Sequence, residues 1–275
     1  TLATSNDGSV SATGTNQVGS LAAQLGNGAL TFTNNQGNLA LGNIAAGSAT
    51  LQANGALTSA AESTVTAAVG NITLTSSGLD LAGNMSAADT VRVATNDANS
   101  DITFSSLGNL NLGQLQTNAN GTLAIGAVNQ TGNLTVAGSI SPIANMILSG
   151  GNIAIDTELN TNGKNLTLNA NANQGVISQS FNGALITNDL SVNTVNGAAN
   201  LNAVNNQISG NLTAQVGTGS LTIANSNDLS LGSITANAVN IDLTAGNLTQ
   251  VSGNLAVGAL DIQTNNGSAN LSAGS

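Results

Sequence analysis

The sequence has no Cys, His, Trp or Tyr, a single Pro, and 12 acidic against 2 basic side chains in 275 residues. Each shortage removes a class of function. Without His or Cys there is no Ser-His-Asp or Cys-His nucleophile, no imidazole or thiolate metal site and no disulfide framework. A net charge of −10, with only Arg92 and Lys164 to meet phosphates, gives nucleic acid and anionic lipid little to hold. No apolar run is long enough to span a bilayer. Thr1–Asp7 lacks the charged and apolar regions of a secretory signal.

What the chain has instead is amide and glycine: 44 Asn and 33 Gly, more than a quarter of all residues. Charged residues make up 5 %, against about 25 % in an average globular domain, so solubility rests on Asn, Thr, Ser and Gln. A hydrophobic fraction of 40 %, spread evenly as Leu, Ile, Val and Ala, is enough to line a continuous core and argues against disorder.

The apolar residues alternate with polar ones in short bursts, the period of a strand with one buried face. Leu30-Thr31-Phe32, Ile72-Thr73-Leu74, Leu166-Thr167-Leu168, Leu221-Thr222-Ile223 and Ile241-Asp242-Leu243 are examples. Gly, Asn-Gly or Ser-Gly bounds each burst within a few residues, and no helical stripe survives that punctuation. Even Ala56–Gly70 carries the β-branched run Thr64-Val65-Thr66 and reads as strand or loop.

The bursts repeat. Leu39-Ala-Leu41-Gly42-Asn-Ile44 returns as Leu110–Leu115, Leu123–Val128, Leu229–Ile234 and Leu255–Leu260. A longer correspondence sets Ile177, Leu190 and Leu201 beside Leu248, Leu260 and Leu271 at a nearly constant offset. That offset is about 70 residues, and a third of it gives a unit of about 23 residues, within the range of solenoid repeats. A unit of two or three short strands and no helix cannot bury its apolar face alone. The expectation is therefore an all-β, right-handed parallel β-helix (β-solenoid) of about 12 coils. At the ~4.8 Å strand spacing the rod would be roughly 55–60 Å long, one elongated domain over residues 1–275. Residues 62–101 hold five of the twelve acids and are marked as an irregular patch. Gly and Asn are expected at left-handed corners, Asn also in amide ladders between coils, and Pro142 at a corner.

The strings Asn165-Leu-Thr-Leu168, Asn205-Asn-Gln-Ile208, Ser220-Leu-Thr-Ile-Ala-Asn-Ser-Asn-Asp-Leu-Ser-Leu-Gly-Ser-Ile234 and Ala245-Gly-Asn-Leu-Thr-Gln250 resemble the degenerate repeats of filamentous-haemagglutinin-type exoproteins. These are large bacterial adhesins secreted across the outer membrane by a partner pore. The resemblance covers nearly the whole chain and is clearest from about Ser149 onward. It implies a right-handed β-helix in the shaft of a surface fibre, extracellular, with the secretion pore and flanking repeats or end-to-end copies as partners. No secretion domain or receptor-binding module is recognisable, and both termini fall inside repeat-like sequence, so an excerpt or a stacking protomer is expected.

Candidate sites are few. Asp156 and Glu158, two apart, would share a strand face, the arrangement of paired carboxylates in β-helical glycosidases and lyases. No aromatic platform or basic group accompanies them in sequence, and two solvated acids are the simpler reading. Asp89, Asp97 and Asp101 could offer oxygen ligands to Ca²⁺, yet the glycine-aspartate nonapeptide of calcium β-rolls is missing. Thr31 and Thr33, Thr64 and Thr66, Thr73 and Thr75 suggest the arrays of ice-binding solenoids but are not expected to recur coil after coil. Sequons at Asn71, Asn84, Asn133, Asn165, Asn211 and Asn247 arise by chance in so Asn- and Thr-rich a chain. Phe32, Phe104 and Phe181 read as core, Arg92 as an offset to nearby acids, and Lys164 as a corner residue. No catalytic, cofactor-binding or metal-binding residue is assigned, and no cofactor is expected. The function expected is a non-catalytic shaft. A glycan- or receptor-binding solenoid face is the alternative, and a polysaccharide-cleaving enzyme centred on Asp156 and Glu158 the weaker one.

Overall fold

A computed structural model of the chain describes residues 1–3, 7–104, 115–117, 120–138 and 144–272. They form short strands whose described pairings are all parallel, in a right-handed β-solenoid of about 12 turns. The residues fall into two compact units, one of Thr1–Ala127 with Ile143–Asn145 and one of Val128–Pro142 with Met146–Ser275.

In the first unit the alternation seen in the sequence becomes columns of side chains. Leu30, Ala49, Ile72, Val91 and Leu123 stack turn upon turn on one inward position, and Phe32, Leu51, Leu74, Val93 and Ile125 on the next. All ten are buried. A second sheet closes the same core with Leu39, Leu57 and Leu79 in one column and Ile44, Val65 and Met85 in another. Burying each Leu, Ile, Val or Phe is worth about 1.5–3 kcal/mol, and no turn gains it without its neighbour. The acid-rich segment 62–101 is regular: it supplies five in-register strands to this stack. The stretch Ala56–Gly70 forms two strands, Ala56–Ser59 and Thr64–Ala67.

The second unit repeats the plan. Leu134, Ile153, Ile177, Ala199, Leu221, Val239 and Leu260 occupy one column, and Met146, Leu166, Leu190, Leu212 and Leu231 another. This register corrects the long correspondence that set Ile177 beside Leu248. Three turns on from Ile177 the column holds Val239, whereas Leu248 stacks on Leu229 in a different column. Turns vary because corners absorb insertions: the step from Leu221 to Val239 is short, that from Leu159 to Leu185 longer, and that from Val91 to Leu123 longer still.

The recurrent string Leu-x-Leu-Gly-x-Ile is a β-bulge. In Leu39–Ala46 the apolar residues at 39, 41 and 44 are all buried, although the last step is three residues and strict alternation would send Ile44 outward. The pairing shows how: Leu21 faces Leu41 and Ala23 faces Ile44, so one residue, Ala22, opposes two, Gly42 and Asn43. Leu212 and Ala214 face Leu231 and Ile234 in the same way. Two further copies depart from it. Gly126 turns at φ 86° and leaves Val128 exposed, Leu255 and Val257 are half-buried with Leu260 exposed, and Leu110 lies outside the described residues, as does Pro142.

Glycine has two uses here. Seven described glycines, Gly26 and Gly163 among them, and five other residues, Asp7, Asn162, Gln174, Asn196 and Asn266, take the left-handed conformation at turns. A second set is needed for close approach. Gly151, Gly175, Gly197 and Gly219 lie on successive turns, and a Cβ on any of them would collide with the carbonyl oxygen of Thr131, Gly151, Gly175 or Gly197, respectively. Here the lack of a side chain lets neighbouring turns close to strand spacing at a corner.

Candidate functional site

Asparagine keeps the axial hydrogen bonding continuous where corners turn backbone carbonyls away. Asn38 Oδ1 accepts the backbone N–H of Ala56 at 2.9 Å, Asn71 Oδ1 that of Thr90 at 3.0 Å, and Asn152 Oδ1 that of Val176 at 2.8 Å. Aspartate does the same. Asn165 accepts from the Asp189 N–H at 3.2 Å and Asp189 from the Asn211 N–H at 2.8 Å, while Asp228 accepts from Asn247 at 2.7 Å and Asn247 from Ser268 at 3.0 Å. Several sequon asparagines, Asn71, Asn165 and Asn247, are thus rungs of these ladders, and Asn133 Oδ1 accepts from Asn152 Nδ2 at 2.8 Å.

Some amides are wholly internal. Asn34 and Asn225 close strands, each donating Nδ2 to the carbonyl two residues on, Gln36 and Asn227, and accepting an N–H of a neighbouring turn, Val18 and Ile208. Both are fully buried. Asn206, also 0 % exposed, donates to the carbonyls of Leu201 and Ala224 and to Gln179 Oε1. It accepts from the Leu185 N–H at 2.8 Å and from Gln179 Nε2 at 2.6 Å. Gln179 in turn donates to the Gly183 carbonyl and accepts the Ala203 N–H. A buried polar group costs free energy unless it is paired, and these amides are paired.

The reciprocal Gln179–Asn206 pair ties together two stacked β-turns, Ser180–Gly183 and Ala203–Asn206, each closed by its own backbone hydrogen bond. On the outside of the first stands Phe181, 81 % exposed, and on the second Val204, 53 % exposed, each at the second position of its turn. This corrects the expectation that Phe181 is core. Phe32 and Phe104 are buried as expected, at 5 % and 1 % exposure. Phe181 follows no apolar-x-apolar strand pattern, the signal that separates it from them.

The preceding turn carries Asp156 and Glu158, both exposed. They lie in the connection between the strands Ile153–Ile155 and Leu159–Asn160, not on a strand face as the spacing suggested. The Ser180 N–H donates to the Ile155 carbonyl and the Ser180 hydroxyl to the Asp156 carbonyl, both at 2.9 Å, so the Phe181 turn is seated directly on the acidic one. An aromatic residue thus stands on the turn next to the one that carries Asp156 and Glu158. A shallow polar depression lies further along this unit, lined by Asp242, Thr244, Gln263, Thr264 and Asn265.

The remaining candidates are placed as follows. Asp97 Oδ1 accepts from both the backbone and side-chain nitrogens of Asn99 within its own turn, and no group of three acids among the described residues is arranged to hold a metal. Arg92 donates to the Gly126 carbonyl at 3.1 Å, while Lys164 follows the left-handed pair Asn162-Gly163. The threonine pairs do not recur turn after turn, as expected, although one column of single threonines does: Thr31, Thr50 and Thr73 stack in register, preceded by Ser11 and followed by Arg92. Beside them Gln52 sits between Thr33 and Thr75. No helix among the described residues is long and apolar enough to cross a membrane. No protein-family model, curated protein or solved structure matches the chain.

Proposed function

We propose that the chain is a non-catalytic structural segment of a secreted bacterial surface adhesin or fibre of the filamentous-haemagglutinin kind. The observation that carries this reading is the axial ladder that runs through each unit. Backbone pairing runs from strand to like strand, and Asn and Asp oxygens accept the N–H groups that corners would otherwise leave unpaired. Such stacking converts short, weak strands into a stiff array with a continuous apolar core. Faces made of Thr, Ser, Asn and Gln, with 5 % charge, keep the sides soluble without a strong field.

Export suits the same composition. A chain with no Cys needs no oxidation step, and a fold in which each turn builds on the last can form as the polypeptide leaves a pore. The partners of this reading are an outer-membrane secretion pore and the flanking repeats or further copies of the chain, with the mature protein outside the cell. Immunogold electron microscopy of intact source cells, using antibody raised against this chain, tests it. Label along surface fibres is expected, and label that appears only after lysis would overturn the proposal.

A further inference from the structure

We propose that the ridge centred on Phe181 is a docking surface for an arginine-bearing segment of another protein. Three observations converge on it. The first is that the ring is 81 % exposed in a chain whose two other aromatic residues are buried, with Val204 half exposed on the next turn. The second is rigidity. The Phe181 turn is held from beneath by Gln179 and Asn206, and from the preceding turn by the bonds of Ser180 to Ile155 and Asp156. A side chain presented on an ordered turn loses little entropy when a partner covers it.

The third is charge complementarity. The corner segments stacked on this ridge, residues 156–158, 180–183, 203–206 and 226–228, contain Asp156, Glu158 and Asp228 and no Lys or Arg. The stacking is direct: the Ser226 N–H and hydroxyl both donate to the Asn206 carbonyl, extending the column beyond Val204. An exposed aromatic face attracts a cation through its quadrupole, and carboxylates on the adjoining turn add charge-assisted hydrogen bonds. Guanidinium fits both demands, because it is planar enough to stack on the ring and its fork of N–H donors matches a carboxylate. Ammonium lacks the plane and the fork.

The test is fluorescence polarisation at low salt with the whole chain and a dye-labelled Gly/Ser peptide carrying two arginines. Its citrulline counterpart, of the same shape without the charge, is the control probe. The arginine peptide is expected to bind, and the citrulline peptide to bind at least fivefold more weakly. Phe181→Ala and Phe181→Leu should each lower affinity about two- to fivefold, the range of an exposed cation–π contact, and Asp156→Asn with Glu158→Gln by at least as much. Since Phe181 is almost wholly exposed, both variants should keep the unfolding midpoint of the parent. Asp80→Asn with Asp261→Asn removes equal charge elsewhere and should change affinity less than twofold. An equal loss in that control, no loss in either Phe181 variant, or equal binding of the citrulline peptide would overturn the proposal. Binding of neutral chitohexaose in place of the peptide would overturn it in favour of a saccharide site.

Discussion

Replacing Asn206 by Ala tests whether buried amides, rather than apolar packing alone, fix the register of the second unit. The side chain is fully buried and makes five hydrogen bonds, two as acceptor and three as donor. Gln179 retains two other partners, the Gly183 carbonyl and the Ala203 N–H, and the two carbonyls have second lone pairs. The Leu185 N–H is the group left without its acceptor. Stranding it costs about 1–3 kcal/mol, and the weakened amide pair and lost packing bring the total to roughly 3–4 kcal/mol. In a stacked repeat that loss opens turns locally, so hydrogen exchange measured at Leu185 and Ala203 is the sharper assay beside urea unfolding. Their amides should exchange about a hundredfold faster or more, at roughly tenfold per 1.4 kcal/mol. Asn206→Asp should be worse than Ala near neutral pH, because its second oxygen then faces the Leu201 and Ala224 carbonyls. Burial among acceptors raises the folded-state pKa of that carboxyl. Its penalty is therefore full above the folded pKa and disappears as pH falls below the unfolded one. If Asn206→Ala lies within about 0.5 kcal/mol of its exposed neighbour variant Asn205→Ala, a change of ordinary surface size, the reasoning fails.

Gly197→Ala drives a Cβ into the Gly175 carbonyl and should destabilise by about 1–3 kcal/mol in urea unfolding, whereas Gly19→Ala, with open space around its Cβ, should be neutral or slightly stabilising. Equal effects would refute the close-approach role of the glycine column. Exchanging Asn43 and Ile44 (Asn43→Ile with Ile44→Asn) puts the isoleucine at the exposed bulge position and an amide at the buried one, 1 % exposed in the parent. Raised binding of a hydrophobic dye with a lowered unfolding midpoint is the expected readout. An unchanged midpoint would show that the bulge does not set the facing of Ile44.

The architecture was legible because the signals that specify it are local. Alternation in Leu30-Thr31-Phe32 or Ile72-Thr73-Leu74 says which side chains face inward regardless of what lies above them, and those residues are buried as expected. Reuse of short apolar bursts without helical spacing leaves stacking as the only way to bury them. Register was not legible, for the opposite reason. It depends on how much chain each corner absorbs, and the steps from Leu221 to Val239, Leu159 to Leu185 and Val91 to Leu123 follow no fixed period. A uniform unit therefore placed Leu248 with Ile177 when its real neighbour is Leu229. The bulge string misled in a related way. Leu-x-Leu-Gly-x-Ile looks like one template wherever it occurs, but only a paired neighbour one residue shorter across the bulge makes it act as one, as at Leu39 and Leu229 and not at Leu123.

That loss of register also explains what was missed at the surface. Asp156 and Phe181 stand on different turns, and their separation along the chain carries no meaning until the turn between them is known to close with Ser180 over Ile155 and Asp156. Thr31, Thr50 and Thr73 are unequally spaced, so no single period aligns them, yet the strands bring them into one column. The variable corners that hide these neighbours are held by the amide bonds that make the fold uniform elsewhere. Gln179 and Asn206 compensate in side-chain reach for what the backbone does not supply, and the turn they steady presents Phe181. In a solenoid of this kind surface chemistry is written across turns, in columns, and it becomes readable only when the corner hydrogen bonds are known.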